Sequence, residues 1–512
     1  MKNVILKGGL SVKFGFFAVA TWLFQMRQTG EKPVSLLRGQ AGNVCLFSSK
    51  NLRRYLVVAA AMALAVGWAE SRETETERRV LRLSLQSLPA SAHQAGTATS
   101  GAMWTAKDIR RHPQGHVLAK HMPRWRTGHS MPVLAHTHTC PNWAVITSIF
   151  GPTKLTIQLS RAAGWCTVVV GDRKSPAKGE WMQAFESKGG NASSLYYLSP
   201  SDQDALPFAT ARAVPWNHFG RKNVGYLYAI ARGAIIIYDT DDDNELLEPD
   251  PGGRLSDAAA ALMSDTARCD AVCGQPAQSV HNPYPAFAEK AAAAAPDYAL
   301  PAWPRGFPLD RIHDRATMNA TVCPSTCATI SILQSLADND PDVDAIYRMT
   351  RALPLNFKAA PRVLSLPPGT MAPFNAQATL YHREAFWGLL LPVTVHGRVA
   401  DILRSYLVQR LMWGAGQSLA FSSPLVRQVR NAHTYLADFV AEQPLYTKAG
   451  ELVRHLVELA ESRQGLAARM TDLTTGMYRL GMVEAADIRL VQAWVGDLDG
   501  FGYEWPERAV KD

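Results

Sequence analysis

The chain has 512 residues, 47% of them hydrophobic and 19% charged, enough for a sizeable core and, on length alone, roughly two to four domains. Its formal charge of +9 does not describe the body of the protein: nine of the 53 Lys and Arg, against one of the 44 acids, lie in residues 1–69, leaving 44 bases and 43 acids elsewhere. That balance excludes a general pull toward nucleic acid or other polyanions.

The basic N-terminus flanks two apolar segments, Phe14 to Met26 and Tyr55 to Ala69. The second has Lys50, Arg53 and Arg54 before it, Glu70 after it, and Tyr55 and Trp68 near its ends, where interface aromatics gather. It predicts a short single-pass anchor, with the N-terminus in the cytosol and the bulk in the lumen; a removed targeting peptide and a buried helix are the alternatives. Residues 71–138 predict a flexible stem. His129, His136, His138 and Cys140 within or beside it could bind metal, but a polar linker explains them more simply. The seven cysteines include two Cys-x3-Cys pairs, at 269/273 and 323/327. They are read as ordinary free thiols, with zinc and lumenal disulfides as the alternatives. The sequons at Asn191 and Asn319 matter only in a secretory context.

Order begins near Pro141. Strands are predicted at Trp143–Ile149, Gly164–Val170, Ser194–Leu198 and from Ile235, and a helix over Asn223–Arg232 with Gly233 at its C-terminus. Strands alternating with helical connections indicate a parallel α/β sheet. Residues 248–310, rich in Pro, Gly and Ala with the run Ala291 to Ala295, read as an insertion or mobile loop. Ordered segments follow at Val343–Thr350, Ala378–Leu391 and Val399–Trp413. From about Lys448 the pattern is amphipathic helix, with Leu452, Leu456 and Leu459 on one face.

The strand from Ile235 to Tyr238 ends in Asp239, Asp241, Asp242 and Asp243. Folding alone does not call for so much negative charge at one strand end. A hard divalent cation, Mn²⁺ or Mg²⁺, would offset it and bridge to the diphosphate of a nucleotide sugar. A phosphatase of the haloacid-dehalogenase type, with Asp239 as nucleophile and Asp241 as acid, and a solvated acidic turn are the rivals. The phosphatase is disfavoured because its nucleophile belongs on the first strand of the core. Asp172, after the second strand, suits a ribose or base contact; a plain Gly-Asp turn is the alternative. Arg221, Lys222 and Asn223, at a helix entry, suit donor phosphates or sugar; a charged surface turn is the alternative.

The stretch Trp143–Phe150, the segment 164–172, the block 215–229 from Pro215 and the acidic run 239–244 resemble the STELLO family of Golgi glycosyltransferases, as do Gln334 to Arg348 and Phe386 to Arg398. The similarity covers about 141–510. The triple Asp at 241–243 is also similar to the reversibly glycosylated polypeptides, nucleotide-sugar mutases with a related core. The resemblance implies a type II Golgi membrane protein with a GT-A-like domain, linked to cell-wall cellulose synthesis and to cellulose synthase subunits.

Together these features predict an α/β protein: a GT-A-like, Rossmann-type, mostly parallel sheet with flanking helices, a helical C-terminal portion and an N-terminal membrane anchor. The expected boundaries are a cytosolic tail at 1–54, an anchor at 55–69, a stem at 70–138, a transferase domain at 139–445 and the helical portion at 446–512. Asp239, Asp241, Asp242 and Asp243, with His396, are the expected metal ligands. Asp172 would meet the nucleoside, and Arg221, Lys222 and Asn223 the rest of the donor. Asp401 would take a proton from an acceptor whose identity the sequence leaves open. Asp340, Asp342 and Asp344 form a second acidic patch, for which a cap or an ion pair is the simpler account. A non-catalytic scaffold of a polysaccharide-synthase complex and a nucleotide-sugar mutase are the other functions the sequence allows.

Overall fold

A computed structural model describes residues 140–247, 253–262, 268–273, 279–288, 301–318, 321–326, 330–358, 363–431, 433–459 and 464–509. The expected cytosolic tail, anchor and stem, including His129, His136 and His138, lie outside the described residues, as do Asn319 and the Ala291 to Ala295 run. Among the described residues no helix is long and apolar enough to cross a membrane.

The chain enters as β1 (Asn142–Thr147), α1 (Lys154–Ser160), β2 (Trp165–Val170), α2 (Lys178–Ser187), β3 (Leu195–Leu198), α3 (Lys222–Ile230) and β4 (Ile236–Thr240). These four strands pair in parallel, as the sequence predicts, and their order is β3-β2-β1-β4. Every residue of β2 and of β4 is buried, because both sheet faces are covered. Alternate side chains feed two cores: Cys166, Val168 and Val170 enter one, Trp165 and Val169 the other. α3 lies close on the sheet at Gly225, where a Cβ would stand 2.7 Å from both Val145 Cγ1 and Val170 Cγ2. Beyond the helix end, Gly233 takes φ 78°, which a side chain would resist, and turns the chain into β4.

The remaining strands are β5 (Asn244–Leu246), β6 (Arg268–Cys273), β7 (Ser279–Val280), β8 (Thr321–Thr326), β9 (Ile330–Asp338), β10 (Val363–Ser365), β11 (Thr370–Met371), β12 (Ala378–His382) and β13 (Ser418–Gln428). All but β7 and β11 extend the first four into an 11-stranded sheet, β3-β2-β1-β4-β12-β9-β13-β10-β6-β8, with β5 on β13. β12 runs antiparallel to both β4 and β9. The sheet is therefore mixed, not mostly parallel. Part of the expected insertion at 248–310 belongs to it: β6 pairs with β10 and β8, and the helix Gly253–Leu262 packs on β9 and β12.

Helix α4 (Gly397–Gly414) packs against the C-terminal helices α5 (Gln443–Glu458) and α6 (Leu466–Arg479), and α6 against α7 (Ala485–Gly500). Leu452 and Leu456 of α5 are fully buried, as their spacing predicts, whereas Leu459 lies beyond the helix and only half-buried. From α7, Asp497 accepts from the Ala209 and Thr210 amides, and Asp487 from those of Val393 and Thr394. The helical portion is thereby tied to the sheet's loops through buried carboxylates.

The expectation of free thiols fails at five positions: Cys140 is bonded to Cys166, Cys273 to Cys323, and Cys269 is also held in a disulfide. Each of the first two pairs joins neighbouring structure that is distant in sequence, by 26 and 50 residues.

Candidate functional site

Alternation along the β4 tip sends its carboxylates to different destinations. Asp239 is inside, with no exposed surface, 2.7 Å from Lys222 Nζ and 2.9 Å from Arg404 Nη2. Asp242 accepts from the Ser148 hydroxyl in the loop after β1. Asp241 and Asp243 line a cavity of about 270 Å³, together with Phe219, Arg305, Asp342, Asn375, Gln377, His396, Gly397, Arg398, Asp401, Gln428 and Arg430. Asn244 pins this tip by donating to the Gln377 carbonyl at 2.9 Å and to Thr240 Oγ1 at 3.2 Å.

Burial pushes the Asp241 carboxyl up to about 6; Lys222 at 3.0 Å opposes the shift, and Asp243 and Asp239 add to it. Burial also raises Asp243, against the pull of Gln428, whose Nε2 donates to Oδ2 at 3.1 Å. The other oxygen, Asp243 Oδ1, is buried with no hydrogen-bond partner. An orphaned carboxylate oxygen beside a second carboxylate is what a hard cation would relieve. Asp241 and Asp243 therefore fit Mn²⁺ or Mg²⁺. Among the described residues, no three His, Cys, Asp or Glu side chains converge to hold a metal unaided. Phosphate oxygens of a ligand would have to complete the shell, as they commonly do for Mg²⁺.

Several expected roles meet different surroundings. Asp239 is committed to Lys222 and Arg404, so it is neither open to a metal nor able to attack a phosphate. His396 lines the cavity, but it caps α4, its Nδ1 accepting from the Arg398 amide at 3.2 Å. Asp172 receives the amides of Arg173 at 2.7 Å, Asn217 at 2.8 Å and His218 at 3.2 Å. It therefore closes the loop that presents Phe219, instead of lining the cavity itself. Arg221 gives Nε to Gln203 Oε1 at 3.0 Å and Nη1 to the carbonyls of Ala211 and Val214 at 2.8 and 3.1 Å, stacked 3.9 Å from the Trp216 ring centre. Asn223 exchanges two hydrogen bonds with the backbone of Leu391. Neither reaches the cavity: their polar atoms are spent on the backbone and on Gln203.

Asp401 does line the cavity, yet its oxygens are filled by Arg305 at 2.8 and 3.0 Å and by the amides of Ile402 and Ala376 at 3.0 and 3.3 Å. A general base needs an open lone pair; this carboxylate instead anchors a buried guanidinium. Arg305 also binds Asp342, whose carboxyl burial would raise but Arg305 and Asn375 hold down at about 2. Sequence reasoning passed over Arg305, Gln428 and Arg430, which meet their carboxylates here through long-range pairing. Arg305 sits in Trp303 to Gly306, inside the supposed insertion, where no spacing marks it.

The second acidic patch resolves into ion pairs and a cap. Asp340 pairs with Arg348, and Asp344 caps the helix Ala345–Thr350 through the Tyr347 amide at 2.7 Å while accepting from Trp303 Nε1 at 2.7 Å. Burial pushes the Asp344 carboxyl up to about 6, against those two donors. A carboxyl raised by folding contributes stability fully below its unfolded pKa near 4 and loses it as pH rises through about 6. Asp344→Asn stays neutral and still caps. Its unfolding free energy minus that of wild type is expected to climb between about pH 4 and pH 6–7; denaturant melts across pH check this, and a flat difference refutes it.

Residues 398–512 match the family model described as STELLO glycosyltransferases. The chain is 30% identical over 370 residues to "Probable glycosyltransferase STELLO1" of Arabidopsis thaliana, covering 71% of this chain and 45% of that protein. Residues 398–512 carry the STELLO family domain. "Probable glycosyltransferase STELLO2" of the same plant is 29% identical over 373 residues, with the same coverage. The chain thus spans less than half the length of these STELLO relatives. Among solved structures, Staphylococcus aureus TarS 1–349 in complex with UDP superposes with a TM-score of 0.29 and 10% identity over 70% of this chain and 88% of that one, too loosely to argue from. The STELLO domain supplies Arg398, Asp401, Gln428 and Arg430 of the cavity, while the acidic tip comes from β4.

Proposed function

We propose that the cavity at the β4 tip binds a nucleoside-diphosphate sugar with Mn²⁺ or Mg²⁺ and that the protein transfers its sugar to an acceptor, as the names of its relatives suggest. The observation that carries this reading is the pair Asp241 and Asp243 opening on one cavity, with Asp243 Oδ1 buried and unpartnered. The metal, when bound, would neutralise the diphosphate leaving group. Asp241 and Asp243 would hold it, and Asn244 and Lys222 would keep their strand tip in place. Arg398 and Arg430 line the same space and can meet phosphate or carboxylate oxygens. The parallel order β3-β2-β1-β4 ending in this tip supports a GT-A-like core.

The setting is part of the same proposal: a lumenal domain on the Golgi membrane, serving cell-wall polysaccharide synthesis. The disulfides favour an oxidising compartment.

Calorimetric titration with Mn²⁺ and a panel of UDP- and GDP-sugars tests the site. Wild type is expected to bind one donor, and Asp241→Asn with Asp243→Asn to lose at least about tenfold in affinity, since each removes a charged ligand, while still melting cooperatively. Binding unchanged in the double variant refutes the site. Donor isomerised without any acceptor would make the protein a mutase, and no donor bound would leave a scaffold.

A further inference from the structure

Building on this metal–diphosphate reading, we infer that Lys222 is a positioning residue, an internal cation that holds Asp241 and lowers the charge of the metal site, so that a divalent ion binds tightly only together with a nucleoside diphosphate.

Lys222 opens α3 with no exposed side-chain surface. Its ammonium forms an ion pair with Asp239 Oδ1 at 2.7 Å and donates to Asp241 Oδ1 and the Ala376 carbonyl, both at 3.0 Å. With no exposed surface and three protein oxygens around it, the ammonium is closed to a phosphate, so its part cannot be the direct donor contact its position in the sequence suggests. Arg404 completes the set by pairing with Asp239. Two cations and two carboxylates cancel, which leaves Asp243 as the uncompensated charge of the two β4-tip carboxylates that line the cavity, Asp342 and Asp401 being paired with Arg305. One oxygen of Asp241 is fixed by the ammonium, and the side chain remains 33% exposed.

Oxygen sites tune their affinity for hard cations by the charge of their ligands. A site with two carboxylates but about one net negative charge holds a divalent ion weakly. A diphosphate supplies the missing charge. Removing the ammonium returns that charge to Asp241 and makes the ion less dependent on the nucleotide.

The test measures Mn²⁺ binding to the full chain by loss of the free-ion paramagnetic resonance signal, without nucleotide and with UDP or GDP. For wild type, nucleotide is expected to tighten Mn²⁺ binding by about tenfold or more. Lys222→Met, similar in volume and uncharged, is expected to bind Mn²⁺ alone roughly tenfold more tightly and to lose a similar factor of the nucleotide effect. In an Asp241→Asn background the same substitution is expected to change nothing, because Lys222 acts through Asp241. A role confined to holding the fold would move the melting temperature but not this coupling. Should Lys222→Met fail to melt cooperatively, Lys222→Gln, which keeps hydrogen-bond donors without the charge, is measured in the same way. Metal and nucleotide coupled in wild type but unaltered in the Lys222 variants would overturn this inference alone, as would an effect that persists without Asp241. Absence of any Mn²⁺ binding to wild type with nucleotide present would overturn the donor reading and this inference together.

Discussion

Asp239→Ala is expected to lower the unfolding free energy by about 3–5 kcal/mol, because it strands two buried cations at once. Lys222 and Arg404 approach the same carboxylate at 2.7 and 2.9 Å, and none of the three side chains is more than 1% exposed. Arg404 also donates to the Leu389 carbonyl at 3.1 Å, and Lys222 still reaches Asp241, so the cations cannot simply turn to solvent. Against a typical domain stability of about 5–15 kcal/mol, a loss of this size consumes much of the margin. Urea unfolding checks it. A loss under about 1 kcal/mol would mean that Asp239 is not their counter-charge. The same variant separates two roles for the β4 tip: a metal ligand would cost donor binding while sparing stability, and Asp239 is expected to do the reverse of Asp243.

How much of this could be read from the sequence follows from how far apart the partners lie. β1, β2, β4 and α3 are legible because apolar, β-branched runs state their burial locally and Gly233 marks the helix end. β12 and β13 are not. β13 contains Ser422, Ser423 and Pro424, and it is held as a strand by β9, β10 and β5, all of them far earlier in the chain. At the site, the density of carboxylates points to a cation. Which of the four face the cavity depends on Lys222, Ser148, Arg404 and Gln428, and sequence gives none of those pairings. Arg221 and Asn223 show the opposite error. At a helix entry their chemistry suits a phosphate, but the same donors suit Gln203 and the Leu391 backbone, and folding places those nearer. Asp172 fails in the same way, since a carboxylate that can accept from a ribose accepts equally from the amides of a tight loop.

Arg305→Met is expected to be about as damaging as the loss of Asp239, at about 3–5 kcal/mol, and to reshape the cavity. The guanidinium is only 8% exposed and bridges Asp342 at 2.7 Å and Asp401 at 2.8 Å. It joins the segment after β9 to α4, and Asn375 adds a bond from the chain ahead of β12 to Asp342 at 2.7 Å. Without the arginine, two buried carboxylates face each other across the space it filled, and one of them must take a proton or draw in water. Neutralising a partner tests that account. Arg305→Met combined with Asp401→Asn removes one charge of each sign, so it is expected to recover part of the loss, with a coupling of about 1–3 kcal/mol in a double-mutant cycle. Denaturant unfolding of the four proteins gives the cycle. Strict additivity would show that Asp401 does not depend on Arg305 for its charge, and would return Asp401 to consideration as the proton acceptor of the cavity.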